Sequence, residues 1–376
     1  MMRRREFLSV GLIGAAGTVL LPRRGRCARP REAKDAPPLF FDGLILSPEE
    51  GAGWEDLGRS GLSGFIWDVS AVEKKEGRFV RPFLPCLRSI AAANSFLRDN
   101  RWGLSLATRG TDIPKERGAG RTAVFLQFQS CEPFEGDLEL MAVFHDLGLR
   151  VCQVTHHATN AFGGGSLERQ WTGLTALGFR AIEMMNVLSI IPDLSHGNEV
   201  LCRDVLRTST KPVVASHTCC RAIVPNARCI TDEAIRGIAD SGGMVAIMPL
   251  SFWITREPAP TVDHYIAHLE HVIKVGGIDA VGLASDEPVA GSVEAARLGN
   301  DNAKAVQLDL PWWEQQRAAG IMGFEELPAH AVIPELNDAR RMFTIQAALE
   351  KKGYTTGPIE KIMGLNWLRV LTKALG

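Results

Sequence analysis

Short apolar runs alternate with longer amphipathic stretches from residue 39 onward. The apolar runs have the length of buried strands, and the stretches between them repeat apolar residues at helical spacing. The predicted strands are Leu62–Val69, Thr122–Phe128, Leu149–Thr155, Ile190–Leu194, Val213–Ser216, Met244–Met248 and Ala280–Ala284. The predicted helices between them are Leu138–Leu147, Ala176–Leu188, Asn198–Thr208, Asp232–Ser241 and Thr261–Val275.

Repeated strand–helix units indicate a parallel sheet with helical crossovers. Seven or eight such units favour an α/β fold of the (β/α)8 TIM barrel type, with residues 39–376 as a single domain. No Gly-x-Gly-x-x-Gly follows the first strand, which argues against an open dinucleotide-binding sheet. Residues 287–335 show little periodicity, and we expect this insertion to form a lid or substrate wall on the active-site face. Helices are expected again at Asp338–Lys352 and Pro358–Leu375.

The first 38 residues differ from the rest of the chain. Arg3-Arg4-Arg5-Glu6-Phe7-Leu8 precedes an apolar run that extends to Leu21, and a basic, proline-rich linker follows over residues 22–38. A charged start before a short apolar core is typical of an export signal. The arginine pair before Glu6 resembles the twin-arginine signal of bacteria. We therefore expect the twin-arginine machinery to export the protein to the periplasm, and an N-terminal anchor is the alternative interpretation.

Composition and charge exclude several classes of protein. The 376 residues carry a net charge of −1, so no excess charge points to a polyanion or a membrane surface. No basic run has interleaved aromatic residues, which argues against nucleic-acid binding. The eight cysteines form no CxxC pair and no disulfide framework, and we interpret most of them as buried thiols. The sequence has no Gly-x-Ser-x-Gly elbow, so nothing supports a serine hydrolase.

Polar side chains follow the carboxyl ends of four predicted strands. Histidines follow three of them, at His156-His157, His196 and His217, and Asp286 follows a fourth. Barrel enzymes carry their chemistry at these strand ends. Imidazoles and a carboxylate from neighbouring strands can converge on one metal ion and leave an open position for water. A single histidine after a strand is more often a hydrogen-bonded structural residue, so the hypothesis depends on the Ser-His pairs on two consecutive strands.

The order of these motifs resembles the membrane dipeptidase family. Asp193-Leu194-Ser195-His196 and the segment Pro212 to His217 are similar to the family's "DLSH" and "PVxxSH" motifs. The likeness extends over residues 39–290 and 335–372. It includes Thr155-His156, Asn160, Arg228, Thr231-Asp232, Gly242-Gly243, the segment 280–286, and Gly364 to Arg369.

The resemblance implies a barrel that cleaves dipeptides with two bridged zinc ions. It implies that His196 and His217 bind one zinc ion and that Asp286 transfers a proton to the leaving amine. It also assigns His156 to the substrate carbonyl or the tetrahedral intermediate, and Arg228 to a substrate carboxylate. These roles agree with the chemistry of the groups, because neutral imidazole suits zinc and the guanidinium fork matches a carboxylate.

Three positions depart from the family pattern. The family's first strand carries "DGHxD", whose His and Asp bind the other zinc ion, but Leu44 and Leu46 stand at those positions here. The family's bridging glutamate is replaced by Gln129, and a neutral amide brings no negative charge between two cations. We therefore expect at most one zinc ion, bound by His196 and His217 with Gln129, Asp286 or water as a further ligand.

Three functions stay open on the sequence alone. The first is a hydrolase of dipeptides or related small amides that uses one metal ion. The second is a binding protein in which Arg228 and His156 hold a carboxylated small ligand without turnover. The third, a structural or assembly factor, has no positive support. A homodimer is compatible with each of them.

Overall fold

The computed structural model describes residues 38–48, 54–75 and 78–376, so the predicted export signal and nearly all of its linker lie outside the described residues. The described strands, β1 to β11, are Phe40–Ile45, Leu62–Asp68, Glu73–Lys75, Arg78–Val80, Leu104–Leu106, Thr122–Phe128, Leu149–Gln153, Ile191–Asp193, Val214–Thr218, Met244–Ile247 and Val281–Leu283. The described α-helices, α1 to α14, are Leu57–Ser60, Phe83–Asp99, Asp112–Gly118, Glu139–Asp146, Ala176–Leu188, Glu199–Thr208, Asp232–Asp240, Ser251–Ile254, Val262–Gly276, Val293–Arg297, Asn302–Ala318, Arg341–Lys351, Thr356–Glu360 and Asn366–Leu375.

Eight parallel strands form the barrel. Their order is β1-β2-β6-β7-β8-β9-β10-β11, and β5 pairs with β6 beside this path. The barrel closes between its first and last strands, where a parallel bridge joins Ile45 to Glu287 and Asp286 donates its N–H to the Leu44 carbonyl at 2.9 Å. Both faces of β1 and β6 are buried, as expected for a parallel sheet covered by helices. The predicted (β/α)8 architecture is therefore confirmed.

Strand and helix positions agree with the sequence pattern where amphipathicity is strong. The strand Thr122–Phe128 and the helix Ala176–Leu188 have the predicted bounds, and most other ends differ by one or two residues. β1, β5 and the antiparallel hairpin β3-β4 are additional to the predicted strands. In β1, the polar Asp42 interrupts the apolar run because it hydrogen-bonds within the barrel wall.

The insertion at residues 287–335 is more regular than predicted. It contains α10 and the 17-residue α11, which has Pro311 inside it. The insertion packs on loops that follow barrel strands: Met322 donates its N–H to the Leu167 carbonyl, and Asn226 donates to the Gly323 carbonyl at 3.0 Å. It borders a cavity of about 160 Å³, whose lining includes Asn226, Phe252, Trp313 and His330. The insertion thus lies against the carboxyl-end loops, as a substrate wall would.

The C-terminal motif is structural. Asn366 donates to the carbonyls of Ile278 and Val281, so α14 is fixed to the start of β11. Arg369 donates to the carbonyls of Gly242 and Gly243, which precede β10. Asn366 and Arg369 thus donate to backbone carbonyls at the amino-terminal end of the barrel.

Cysteine pairing and membrane-spanning helices were also open questions from the sequence. All seven cysteines in the described part of the chain are buried free thiols; Cys131 and Cys152 lie with their sulfurs 4.0 Å apart. Within the described ranges, no helix is both long and apolar enough to span a bilayer.

Candidate metal centre

Four histidines gather at the carboxyl end of the barrel. His156 and His157 follow β7, His196 follows β8, and His217 lies near the end of β9. The ring centroid of His196 lies 4.1 Å from that of His156, 4.7 Å from His157 and 5.0 Å from His217. Neighbouring parallel strands end at the same face of a barrel, and this explains why residues distant in sequence meet here.

His196 and His217 face one another through their Nε2 atoms, which are 2.9 Å apart. Two nitrogens bound to one zinc ion at about 2.1 Å lie about 3.4 Å apart in a tetrahedral site. The pair is therefore close enough to share an ion with little movement.

A buried carboxylate, Asp193, accepts hydrogen bonds from both Ser-His segments. Its Oδ1 accepts hydrogen bonds from the N–H and hydroxyl of Ser195, at 3.0 and 2.6 Å, and from the N–H of Ser216 at 2.9 Å. Its Oδ2 accepts from the Ser216 hydroxyl at 2.5 Å and from the side-chain amides of Gln127 and Gln153. These contacts fix the backbone of the two segments that carry His196 and His217.

The hydrogen bonds around His217 determine which of its nitrogens carries the proton. The Ser216 hydroxyl donates to Asp193 and lies 2.7 Å from His217 Nδ1, so Nδ1 is the donor and Nε2 retains its lone pair. At His196, the Nε2 atom lies 3.1 Å from Nη2 of Arg228, and guanidinium can only donate. Two lone pairs thus face each other at 2.9 Å, an arrangement that a cation between them would stabilise. The donor set fits one metal ion.

Burial keeps these imidazoles uncharged. Desolvation lowers the pKa of His156, His196 and His217 well below the ordinary value, and the charge of Arg228 lowers all three further. The charge of Arg81 contributes more than Arg228 does at His156. Neutral imidazole is the form that binds metal ions, so the three rings are in the binding form at neutral pH.

Arg228 is buried against the histidine pair. It donates to the carbonyls of Ser195 and His217, and its guanidinium carbon lies 5.4 Å from the ring centroid of Trp253. Its Nε is buried and has no hydrogen-bond partner among the residues that the structure describes. The role predicted for Arg228, binding a substrate carboxylate, would use this donor or require the guanidinium to leave a backbone carbonyl.

Asp286 follows β11 and lies beside β1, where its N–H donates to the Leu44 carbonyl at 2.9 Å. Its backbone is in the left-handed region, with φ of 53°, a conformation that costs non-glycine residues of the order of 1 kcal/mol or more. The charge of Asp286 raises the proton affinity of Arg228, against the larger effect of desolvation, which lowers the pKa of the guanidinium. The predicted proton-transfer residue and the predicted carboxylate-binding residue are therefore close enough to interact.

Comparison with known proteins identifies the family. Residues 55–301 match the family model described as "Membrane dipeptidase (Peptidase family M19)". The chain belongs to the membrane dipeptidase family. This agrees with the resemblance expected from the motifs, and the match covers well over half of the chain.

Relatives within the family differ in length. The chain is 24% identical over 271 residues to "Dipeptidase tcpJ" of Claviceps purpurea and 30% identical over 267 residues to "Uncharacterized dipeptidase C965.12" of Schizosaccharomyces pombe. These matches cover 71% and 68% of this chain, but the chain spans only about half of each relative, 55% and 54%.

Solved structures share the fold. An amidohydrolase from Pseudomonas aeruginosa superposes with a TM-score of 0.76 at 25% identity, covering 90% of this chain and 97% of that one. A metallopeptidase from Rhodobacter sphaeroides, liganded with a phosphinate mimic of the dipeptide L-Ala-D-Ala, gives a TM-score of 0.71 at 19% identity, covering 90% of this chain and 99% of that one.

The three departures from the family pattern are visible in the structure. Leu44 is fully buried and packs in the barrel interior with Phe41 and Ile66, and Leu46 packs against the same cluster. Neither side chain has an atom that binds zinc. Gln129 lies buried one residue beyond β6, with its N–H 3.4 Å from the Ser70 hydroxyl. These positions do not fit the second zinc ion of the family.

His157 is a site residue that the sequence hypothesis did not select. Its donor atom lies within 4.8 Å of donor atoms of both His156 and His196. The family motif contains one histidine at this strand end, so a motif comparison stops at His156. The adjacent His-His pair in the sequence was the signal that could have indicated His157.

Proposed function

We propose that this chain is a hydrolase of dipeptides or related small amides that uses one metal ion, held by His196 and His217. The observation that carries the proposal is the facing pair of unprotonated Nε2 atoms at 2.9 Å; the His196 atom also accepts a hydrogen bond from Arg228, which a bound ion would replace. A zinc ion, when bound there, supplies a Lewis acid for the amide carbonyl and lowers the pKa of water.

The chain's own residues supply positioning and proton transfer in this proposal. Asp286 takes a proton from the attacking water and delivers it to the amine nitrogen as the carbon–nitrogen bond breaks. Arg228 holds the carboxylate of the substrate, and His156 donates towards the carbonyl oxygen. Asp193 acts through Ser195 and Ser216 and keeps both metal-binding rings in place.

Membership of the membrane dipeptidase family supports a hydrolase, as do the names of the relatives, two of which are dipeptidases. The chain spans about half of each of those relatives, so a dipeptide substrate is a proposal for this chain and is not carried over from them directly. Export to the periplasm through the twin-arginine route is part of the proposal and is supported by the arginine pair before Glu6 and the apolar run that follows.

A second function has one observation in its favour. The guanidinium of Arg228 lies 3.1 Å from the His196 nitrogen that would bind the metal ion, so a cation already occupies one side of the pair. Because Leu44, Leu46 and Gln129 are neutral and stand where the family has metal-binding residues, the site has less negative charge to attract a divalent ion. A protein that binds carboxylated small molecules without cleaving them would use the same guanidinium and need no metal ion.

The two functions can be separated by one set of measurements. Purified protein is freed of metal with a chelator and titrated with Zn²⁺, and bound zinc per chain is counted by elemental analysis. Amine release is then followed across dipeptides and N-acyl amino acids, while calorimetry measures the binding of a dipeptide phosphinate. The same measurements are made on Asp286→Asn and on Asp240→Asn, an exposed carboxylate at the end of α7.

A hydrolase should bind one zinc ion and release amine. Asp286→Asn should lower kcat by at least about 100-fold, as loss of a general acid–base group does, and leave phosphinate affinity nearly unchanged. Asp240→Asn should change neither quantity. Ligand binding without amine release at saturating zinc would refute the hydrolase and support the binding protein. Two zinc ions per chain would refute the single-ion site.

A further inference from the structure

The loop after β7 brings two imidazoles to the metal pair instead of one. Donor atoms of His156, His157 and His196 all lie within 4.8 Å of one another. The ring centroids of His156 and His157 are 4.0 Å apart, and each lies within 4.7 Å of the centroid of His196. Imidazoles that share one tetrahedral zinc ion have centroids about 5 Å apart. The three rings lie about 0.3–1 Å closer together than this, so their donor atoms are near enough for one ion, which would spread the rings slightly.

We infer that His156 and His157 join His196 as ligands, so that the metal site of this chain is built from imidazoles alone. His157 in this arrangement supplies a third protein ligand that Leu44, Leu46 and Gln129 do not provide. The inference rests on the proposed single-metal site, because His196 is common to both ligand sets. It differs in assigning metal binding to the loop after β7, with His156 as a ligand instead of a donor towards the substrate carbonyl.

The charges around the cluster allow a cation there. Arg81 interacts with the carboxylates of Asp68 and Glu132, and Arg228 interacts with Asp286. Each guanidinium near the cluster thus has a carboxylate to offset its charge. Among the described residues, the group of side chains that could hold an ion consists of His156, His157 and His196 and contains no carboxylate.

A nitrogen-only ligand set predicts which ions bind. Imidazole suits Zn²⁺, Co²⁺, Ni²⁺ and Cu²⁺, whereas Mg²⁺, Ca²⁺ and Mn²⁺ prefer carboxylate, carbonyl and water oxygens. The site should therefore bind Zn²⁺ and Co²⁺ in the presence of millimolar Mg²⁺. A site completed by Asp286 and water would discriminate less strongly.

Metal titration of the full chain tests the assignment without depending on activity. Zn²⁺ affinity is measured by calorimetry, and Co²⁺ loading is followed by its visible absorption, which reports the number and geometry of nitrogen ligands. The variants are His157→Ala, the more conservative His157→Gln, and His217→Ala. The matched control is His145→Ala, which removes a histidine from α4. Thermal unfolding of metal-free protein verifies that each variant is folded.

His157→Ala and His157→Gln should each weaken Zn²⁺ binding more than tenfold and shift the Co²⁺ spectrum, while His145→Ala should change neither. Binding and spectra unchanged in both His157 variants but impaired in His217→Ala would overturn this inference and leave the proposed function standing. Failure of the wild type to bind Zn²⁺ or Co²⁺ would overturn both. If His157→Ala is unfolded, the outcome for His157→Gln decides.

Discussion

Replacing Asp42 with asparagine tests how the first strand holds the site in place. Asp42 is fully buried, and its Oδ1 accepts hydrogen bonds from the N–H groups of Leu44 at 3.1 Å and Ser285 at 2.8 Å. Burial raises the pKa of its carboxyl from 3.8 to about 6, and the charge of Arg341 opposes part of this rise. Asp42→Asn retains an oxygen for both N–H groups and removes the ionisation; it also puts an NH2 group at the position of Oδ2, which has no hydrogen-bond partner among the described residues, and the cost of that change does not depend on pH.

The sign of the effect follows from the direction of the pKa change. The folded state binds the Asp42 proton more tightly than the unfolded state, so this group favours folding most below about pH 3.8. That contribution is lost as the pH rises to about 6 and stays lost above it. The pKa change from 3.8 to about 6 corresponds to about 3 kcal/mol in the free energy of unfolding.

The assay compares the variant with the wild type across pH. Urea denaturation between about pH 4 and pH 7.5 should show the difference in unfolding free energy moving by about 2–3 kcal/mol in favour of Asp42→Asn. The buried histidines affect both proteins equally and cancel in the difference. For Asp240→Asn, an exposed control, the difference in unfolding free energy from the wild type should stay constant with pH. A difference for Asp42→Asn that is constant with pH, or that moves towards the wild type, would refute the assigned ionisation.

Three further outcomes are expected. Asp193→Asn should weaken Zn²⁺ binding by about 10- to 100-fold by calorimetry, because the Ser195 and Ser216 hydroxyls lose their carboxylate; unchanged affinity would mean that the serines hold the rings unaided. Arg228→Ala should weaken binding of a dipeptide phosphinate by about 2–5 kcal/mol, and tight binding that survives would end its assignment to the carboxylate. Replacing the arginine pair before Glu6 with lysines should retain the precursor in the cytoplasm on cell fractionation; normal delivery to the periplasm would indicate another route or an anchor.

The barrel was predictable from the sequence because buried parallel strands leave a simple pattern. β6 is a mostly apolar run, interrupted by Gln127, and α5 has one buried side, so both were predicted with their observed bounds. α11 was missed because it contains Pro311 and few buried residues: Ala305, Val306 and Trp313. A helix that does not face the core lacks the periodic signal on which sequence prediction depends.

The contacts within the site were less predictable than its members. His196 and His217 were indicated by their positions after strands, but the hydrogen bonds from both serines to Asp193 were not. Arg228 donates to two backbone carbonyls, and every residue has a carbonyl, so no sequence pattern could indicate this.

Loss of the first-strand ligands does not require loss of the site. Asp286 is fixed by its N–H to the carbonyl of Leu44, and a backbone carbonyl is present whatever side chain stands at that position. Ser285 is fixed by its N–H to Asp42 and by its hydroxyl to the same Leu44 carbonyl. The first strand can therefore give up two metal-binding side chains and still position Asp286 beside Arg228. The proposed one-metal site, with Asp286 as its proton-transfer group, is consistent with this backbone.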